Sequence, residues 1–181
     1  MRRIIFFTVL FVIVASVSAF AIGGGRKGLT IGCSLGYAPI ISWDRTTNGG
    51  GGPSTGPATS LMLGYGIDDK NTLVFEGMTA HTTGGNSLLM NFSGLRWYAY
   101  GRPTAPSSFF ACGIGWSSLF SSSEAAVFNV IVGHTVNFPA ATIGFGYEMA
   151  KRQFVGLYIN AGRHENFTLV NASIMYTLMA Y

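Results

Sequence analysis

In the stretch L-T-I-G-C-S-L-G-Y, Leu29 to Tyr37, large and small residues alternate without a break. Leu29, Ile31, Cys33, Leu35 and Tyr37 share one face of an extended strand, and Thr30, Gly32, Ser34 and Gly36 share the other. A strand at the surface of a soluble protein sets its bulky face on a core and its polar face in water. Here the second face carries only small residues. The pattern fits a narrow barrel in lipid, with bulky side chains toward acyl chains and small ones lining a tight interior.

The same alternation recurs downstream. Leu61, Leu63, Tyr65 and Ile67 oppose Met62, Gly64 and Gly66, while Ile143, Phe145, Tyr147 and Met149 oppose Thr142, Gly144, Gly146 and Glu148. Leu35, Tyr37, Leu61, Leu63, Tyr65, Ile143, Phe145 and Tyr147 are the side chains expected to face lipid. Composition agrees: 10% of the residues are charged and 49% hydrophobic, against about 25% charged in an ordinary soluble domain. After the N-terminus no apolar run reaches the 18 or so residues of a spanning helix, so the backbone must be satisfied by closing a sheet.

The first 21 residues read as an export signal and residues 22–181 as one barrel domain. Arg2 and Arg3 form a basic start, Ile4 to Val14 an apolar segment, and Ala19-Phe20-Ala21 an A-x-A cleavage site, with cleavage after Ala21 or, alternatively, after Ala19. Loss of Arg2 and Arg3 takes the formal charge from +4 to +2. No Lys/Arg cluster remains to neutralise phosphates, so nucleic acid is not an expected partner. Cys33 and Cys112 could form a disulfide in an oxidising compartment, but both fall on the apolar parity of distant strands. Free, lipid-facing thiols are the favoured reading.

Eight strands can be drawn: Lys27 to Ile41, Ala58 to Ile67, Thr72 to Thr83, Ser87 to Gly101, Ser108 to Phe120, Ala140 to Ala150, Phe154 to Gly162 and Phe167 to Tyr181. The fold class is thus all-β, an eight-stranded antiparallel up-and-down transmembrane barrel. Asp68 to Asn71, Arg102 to Pro106 and Lys151 to Gln153 are tight polar turns, whereas Ser42 to Pro57 and Ser121 to Phe138 are long; short periplasmic turns and longer external loops are the habit of such barrels. In the fourth strand Leu95, Trp97 and Ala99 face outward, and Met90 and Phe92 are the lipid-facing choices near its start, which requires a bulge about Ser93 and Gly94. Trp97, Tyr98, Tyr100, Phe109, Phe110, Tyr147 and Phe154 group near the short turns as an interfacial girdle, with Tyr37, Trp43, Trp116 and Phe120 toward the long loops.

The segments I-G-C-S-L-G-Y, M-L-G-Y-G-I-D and I-G-F-G-Y-E resemble strands of the small eight-stranded outer-membrane barrels of Gram-negative bacteria, the group that includes the OmpA membrane domain and opacity-type proteins. The resemblance spans the whole mature chain and implies an outer-membrane location. It implies as partners outer-membrane lipid and lipopolysaccharide, the barrel assembly machinery and an unidentified extracellular ligand. The scaffold hosts adhesins, structural anchors and enzymes alike, so architecture does not choose among them. Barrels of this group usually end on an aromatic residue in the outward phase. Here Ile174, Tyr176 and Leu178 set one phase and terminal Tyr181 falls in the other.

Glu76 shares the interior parity of Val74 and Met78, and Arg96 lies opposite in phase to Leu95 and Trp97. Both stand about ten residues from the hairpin at Gly84 to Asn86, so they should be near neighbours across two strands. An ion pair in a filled barrel offsets the desolvation of each partner. The expected interior polar network is Glu76, Arg96 and Glu148, with a structural role favoured over a gate.

His81, His134 and His164 all project toward the long-loop end. Enzymes that deacylate or acylate lipopolysaccharide resemble this scaffold and place a histidine, a serine and an acid near the outer leaflet. His164 with Glu165, or His134 with Ser121 to Ser123 and Glu124, are the versions available, yet the histidine-x-serine arrangement of the deacylases is missing because Glu165 and Asn166 follow His164. No catalytic residue is assigned. No P-loop, dinucleotide fingerprint or Cys/His metal spacing occurs, and no cofactor or metal is expected. The loop stretch A-A-V-F-N-V-I-V, 125–132, could extend the flanking strands, fold into the mouth, rest on the membrane or meet a partner. Residues 42–57, with Gly49 to Gly52, read as a mobile tip. The favoured function is a structural or surface-interaction (adhesin-like) barrel with a filled interior, and the alternative is a lipopolysaccharide-modifying enzyme.

Overall fold

The computed structural model describes residues 25–44, 50–81, 88–121, 136–150, 152–165 and 167–181. Eight strands, β1 (Gly28–Asp44), β2 (Gly50–Gly66), β3 (Asn71–His81), β4 (Leu88–Tyr100), β5 (Ser107–Ser121), β6 (Val136–Ala150), β7 (Gln153–His164) and β8 (Phe167–Ala180), pair in sequence order, and β8 closes on β1. Every pairing is antiparallel. The signal segment and the loop residues 45–49, 82–87 and 122–135, with the apolar stretch and His134, lie outside the described residues.

Closure carries a fixed stagger. A register row followed from Ile31 through Leu63, Phe75, Leu95, Ile114, Ala141, Ala161 and Val170 re-enters β1 at Ile41, ten residues further on. With strands about 4.8 Å apart and a rise of about 3.3 Å per residue, this stagger tilts the strands by about 40° and sets a backbone radius of about 8 Å. Side chains from opposite walls then meet at the axis, so inward positions must be small or must interlock.

The outer face is the apolar one. Leu35, Leu63, Tyr65, Phe145, Tyr147, Ile114 and Trp116 are all exposed, as are Tyr37, Leu61 and Ile143. Water does not tolerate a continuous belt of that kind, and acyl chains do. Cys33 and Cys112 are free thiols of intermediate exposure, in phase with the outward residues of β1 and β5.

Several strands differ from the sequence expectation. β2 begins at Gly50 rather than Ala58, so most of the segment expected to be a mobile tip pairs with β1 in a hairpin, with register Ile40↔Ser54 and Trp43↔Gly50 around one irregularity. Turn composition suggests a loop there, but glycine and proline are tolerated where a hairpin runs past the barrel rim. β6 likewise starts at Val136. β4 contains no bulge: its register is unbroken against both β3 and β5. Met90 and Phe92 are therefore fully buried inside the barrel and do not face lipid. Tyr98, Tyr100, Phe109 and Phe154 are also inside rather than in an outer girdle. Their parity puts them there, and their rings pack on one another to fill the short-turn end of the bore.

The short turns tie the bore's end together. Asp68 accepts hydrogen bonds from the Lys70 N–H (2.7 Å) and the Asn71 side-chain amide (3.0 Å), and the Asn71 bond first, then the Lys70 one, holds the Asp68 carboxyl below the usual carboxylate range. Lys70 in turn accepts from the Tyr100 N–H at 2.7 Å, linking the β2–β3 turn to the end of β4.

Candidate functional site

The chemistry of this chain is concentrated inside the barrel, in two buried ion-paired centres. Midway along the bore, Glu76 of β3 and Arg96 of β4 form an ion pair, with side-chain exposures of 2% and 1%. The register makes them diagonal neighbours, since Val74 faces Arg96 and Glu76 faces Gly94. Gly94 admits the Phe92 ring and the β5 backbone at Ile114 and Gly115, where a Cβ would collide.

Arg96 is held on its other edges too. Its Nη2 donates to Thr142 Oγ1 at 3.0 Å and to Asn160 Oδ1 at 3.3 Å. The guanidinium lies 4.6 Å from the Tyr158 ring centroid and 5.7 Å from that of Phe92. Tyr158 can approach because Gly144 and Gly156 flank it: a Cβ on either would run into its ring. Asn160 Nδ2 then donates to Asn171 Oδ1 at 3.2 Å, and Asn171 Nδ2 to the Pro39 carbonyl at 3.1 Å. A polar chain thus crosses the bore from β3 to β1. A second, shorter chain joins Ser60, Ser34 and Thr177 by bonds of 3.0 and 2.8 Å.

Glu148 does not join Glu76 and Arg96. It pairs with Arg26, which precedes β1 and turns into the short-turn mouth of the barrel. Arg26 Nη1 donates to the carbonyls of Asp69 and Arg102, each at 2.6 Å, and its backbone N–H to Asp69 Oδ1 at 3.1 Å. Its guanidinium lies 4.0 Å from the Tyr100 ring centroid. One side chain therefore ties two turns, a strand end and a buried carboxylate. The other end of the chain closes the same mouth, for Tyr181 Oη lies 2.9 Å from Tyr100 Oη and its ring meets Phe154 edge-on at 6.5 Å. The inward phase of Tyr181 thus places it as a plug. Arg26 was invisible to strand parity because it precedes the first strand, and no sequence signal pairs it with Glu148.

The histidines do not assemble with these centres. His81 ends β3 opposite Leu89, and His164 ends β7 opposite Phe167. β3 and β7 stand four strands apart in an eight-stranded ring, on facing walls. His134, Ser122, Ser123 and Glu124 lie outside the described residues. Among the described residues no group of three His, Cys, Asp or Glu side chains could hold a metal ion.

No family model matches the chain, and no curated protein matches it by sequence. Its architecture does match solved structures. Ail, the attachment invasion locus protein of Yersinia pestis, superposes with a TM-score of 0.57 at 11% identity, over 84% of this chain and 99% of Ail. Neisserial surface protein A superposes with a TM-score of 0.58 at 10% identity, over 85% of this chain and 97% of that one. The outer membrane enzyme PagL superposes at 0.53 and 14% identity, over 82% of this chain and 98% of PagL. The fold is that of the small outer-membrane barrels. Identities this low carry the fold and leave each neighbour's own activity with that neighbour.

Within that fold, the inward side chains of this chain decide what the bore can do. Tyr100, Phe109, Phe154 and Tyr181 pack together at the short-turn end, with ring centroids about 6 Å apart. Glu76, Arg96, Tyr98 and Tyr158 fill the middle, and Met90, Leu119, Phe138 and Leu169 fill the level beneath the long loops.

Proposed function

We propose that the protein is exported by its N-terminal signal and resides in the outer membrane as a closed, non-conducting barrel that acts in a structural or surface-interaction role. Its short turns face the periplasm and its long loops the exterior. The observation that carries this reading is the filled bore: two buried ion-paired centres and a plug of aromatic rings occupy it along its length. An apolar outer belt supports residence in lipid, and the extended β1–β2 hairpin offers an external surface on which a partner could dock. Outer-membrane lipid and lipopolysaccharide would then surround it, and the barrel assembly machinery would insert it. Ail has been captured in complex with the heparin analogue sucrose octasulfate; an external ligand of this chain would be sought at the hairpin and the 122–135 loop.

The test combines fractionation with conductance. The protein should be recovered in the outer membrane as a heat-modifiable band and should leave a planar bilayer silent. Recovery in the soluble periplasm, or stable channels of uniform size, would overturn the reading.

A further inference from the structure

We infer that the apolar belt is lopsided and that the barrel thins the outer leaflet beside β2, β3 and β4, drawing lipid headgroups and water down onto that wall. The inference rests on the outer-membrane reading above. At the strand tilt set by the stagger, each residue along a strand climbs about 2.5 Å along the barrel axis, and each step to the next strand along a register row climbs about 3 Å. Measured upward from Ile31, the last bulky outward side chain of β3, Phe75, stands at about 6 Å. Above it the outward positions are Gly77, Thr79 and His81 on β3, Ser93, Asn91 and, at the rim, Leu89 on β4, and Thr59 and then Pro57 on β2. Thr59, Ser93 and Thr79 stand at about 13 to 16 Å and Asn91 at about 19 Å.

The facing wall is different at the same height. Ile174, Ile159 and Ala172 stand at about 12 to 17 Å and Val170 at about 22 Å, all on the outward face of β7 and β8. The apolar surface therefore reaches about 16 Å higher on β8, at Val170, than on β3, at Phe75. An outer-membrane belt is usually about 25 Å tall, so hydrocarbon of full thickness would have to solvate two threonines, a serine and an asparagine. Thinning the leaflet locally is the smaller cost. Headgroups are favoured over a protein partner as occupant because, along β3, the patch runs upward through Gly77 and Thr79 to the exposed His81 at the barrel rim.

The experiment uses the full mature chain with Cys33→Ala and Cys112→Ala, carrying either Thr79→Cys or Ile159→Cys, each labelled with a nitroxide and folded into dioleoylphosphatidylcholine vesicles. The two sites differ in height by about 2 Å. The Thr79 label should be at least threefold more accessible to a polar nickel chelate, relative to oxygen, than the Ile159 label. Adding Thr59→Leu, Asn91→Leu and Ser93→Leu should refill the belt and shield the Thr79 label. If both labels are equally shielded from the chelate and open to oxygen, the inference fails and the membrane reading stands. If both are open to the chelate, the two fall together. A Thr79 label closed to both reagents would mean that protein covers the patch, which also overturns the inference.

Discussion

Replacing Glu76 with Gln tests what the central ion pair does. The change keeps the volume and an acceptor oxygen but leaves the Arg96 charge unpaired in a site where its side chain is 1% exposed. Breaking a buried pair from one side typically costs 3 to 5 kcal/mol. Arg96 would retain its bonds to Thr142 and Asn160 and its place over the Tyr158 ring, so the loss should fall at the lower end, about 3 kcal/mol. Adding Arg96→Met removes the stranded charge and should recover about 2 kcal/mol, a coupling of the size expected for residues in direct contact. Urea unfolding in lipid vesicles, followed by the fluorescence of the outward-facing Trp97 and Trp116, measures both numbers. A cost below about 1 kcal/mol for Glu76→Gln, or strict additivity in the double variant, would refute the reasoning. Steady ion conductance in Glu76→Gln alone would show that the pair gates a path.

At the short-turn mouth, Arg26→Ala should destabilise the folded barrel by about 3 kcal/mol because Glu148 stays buried without its partner, and Glu148→Gln in that background should restore part of the loss in the same unfolding assay. Gly144→Ala puts a methyl group against the Tyr158 ring, so it should lower stability by about 1 to 3 kcal/mol; a variant as stable as the parent would mean that the ring has room to move. Leu63→Arg introduces a charge on the outward face among acyl chains at a cost of about 2 to 4 kcal/mol. In contrast, Thr79→Arg should be nearly neutral, because headgroups reach that level. Comparable folding yields for the two in vesicles would contradict the assignment of the belt.

Alternation along each strand was legible in the sequence because a two-residue period is a local property. It placed Leu63, Tyr65, Phe145 and Tyr147 on one face and Glu76, Arg96 and Glu148 on the other, and it set Tyr181 out of phase with Ile174 and Tyr176. Where both faces of a strand carry large apolar residues, the period identifies two sides without saying which one is lipid. That is why Met90 and Phe92 were misread: the ladder continues without a bulge, and the bore beneath the long loops is itself apolar. The length of the β1–β2 hairpin was hidden for a related reason, since pairing beyond the rim is fixed by the partner strand and not by the glycines in it.

The sequence by itself determined a closed antiparallel barrel in lipid, because low charge and strand-length alternation leave the backbone no other way to satisfy its hydrogen bonds. Only the tertiary structure decided which inward side chains meet. The ten-residue stagger sets which levels of distant strands face one another across the bore, and no local pattern encodes that number. Arg26 and Glu148 lie 122 residues apart in sequence, and Tyr100 and Tyr181 lie 81 apart. They become neighbours because ring closure sets β8 beside β1 and brings Arg26 and Tyr181 to the same short-turn mouth.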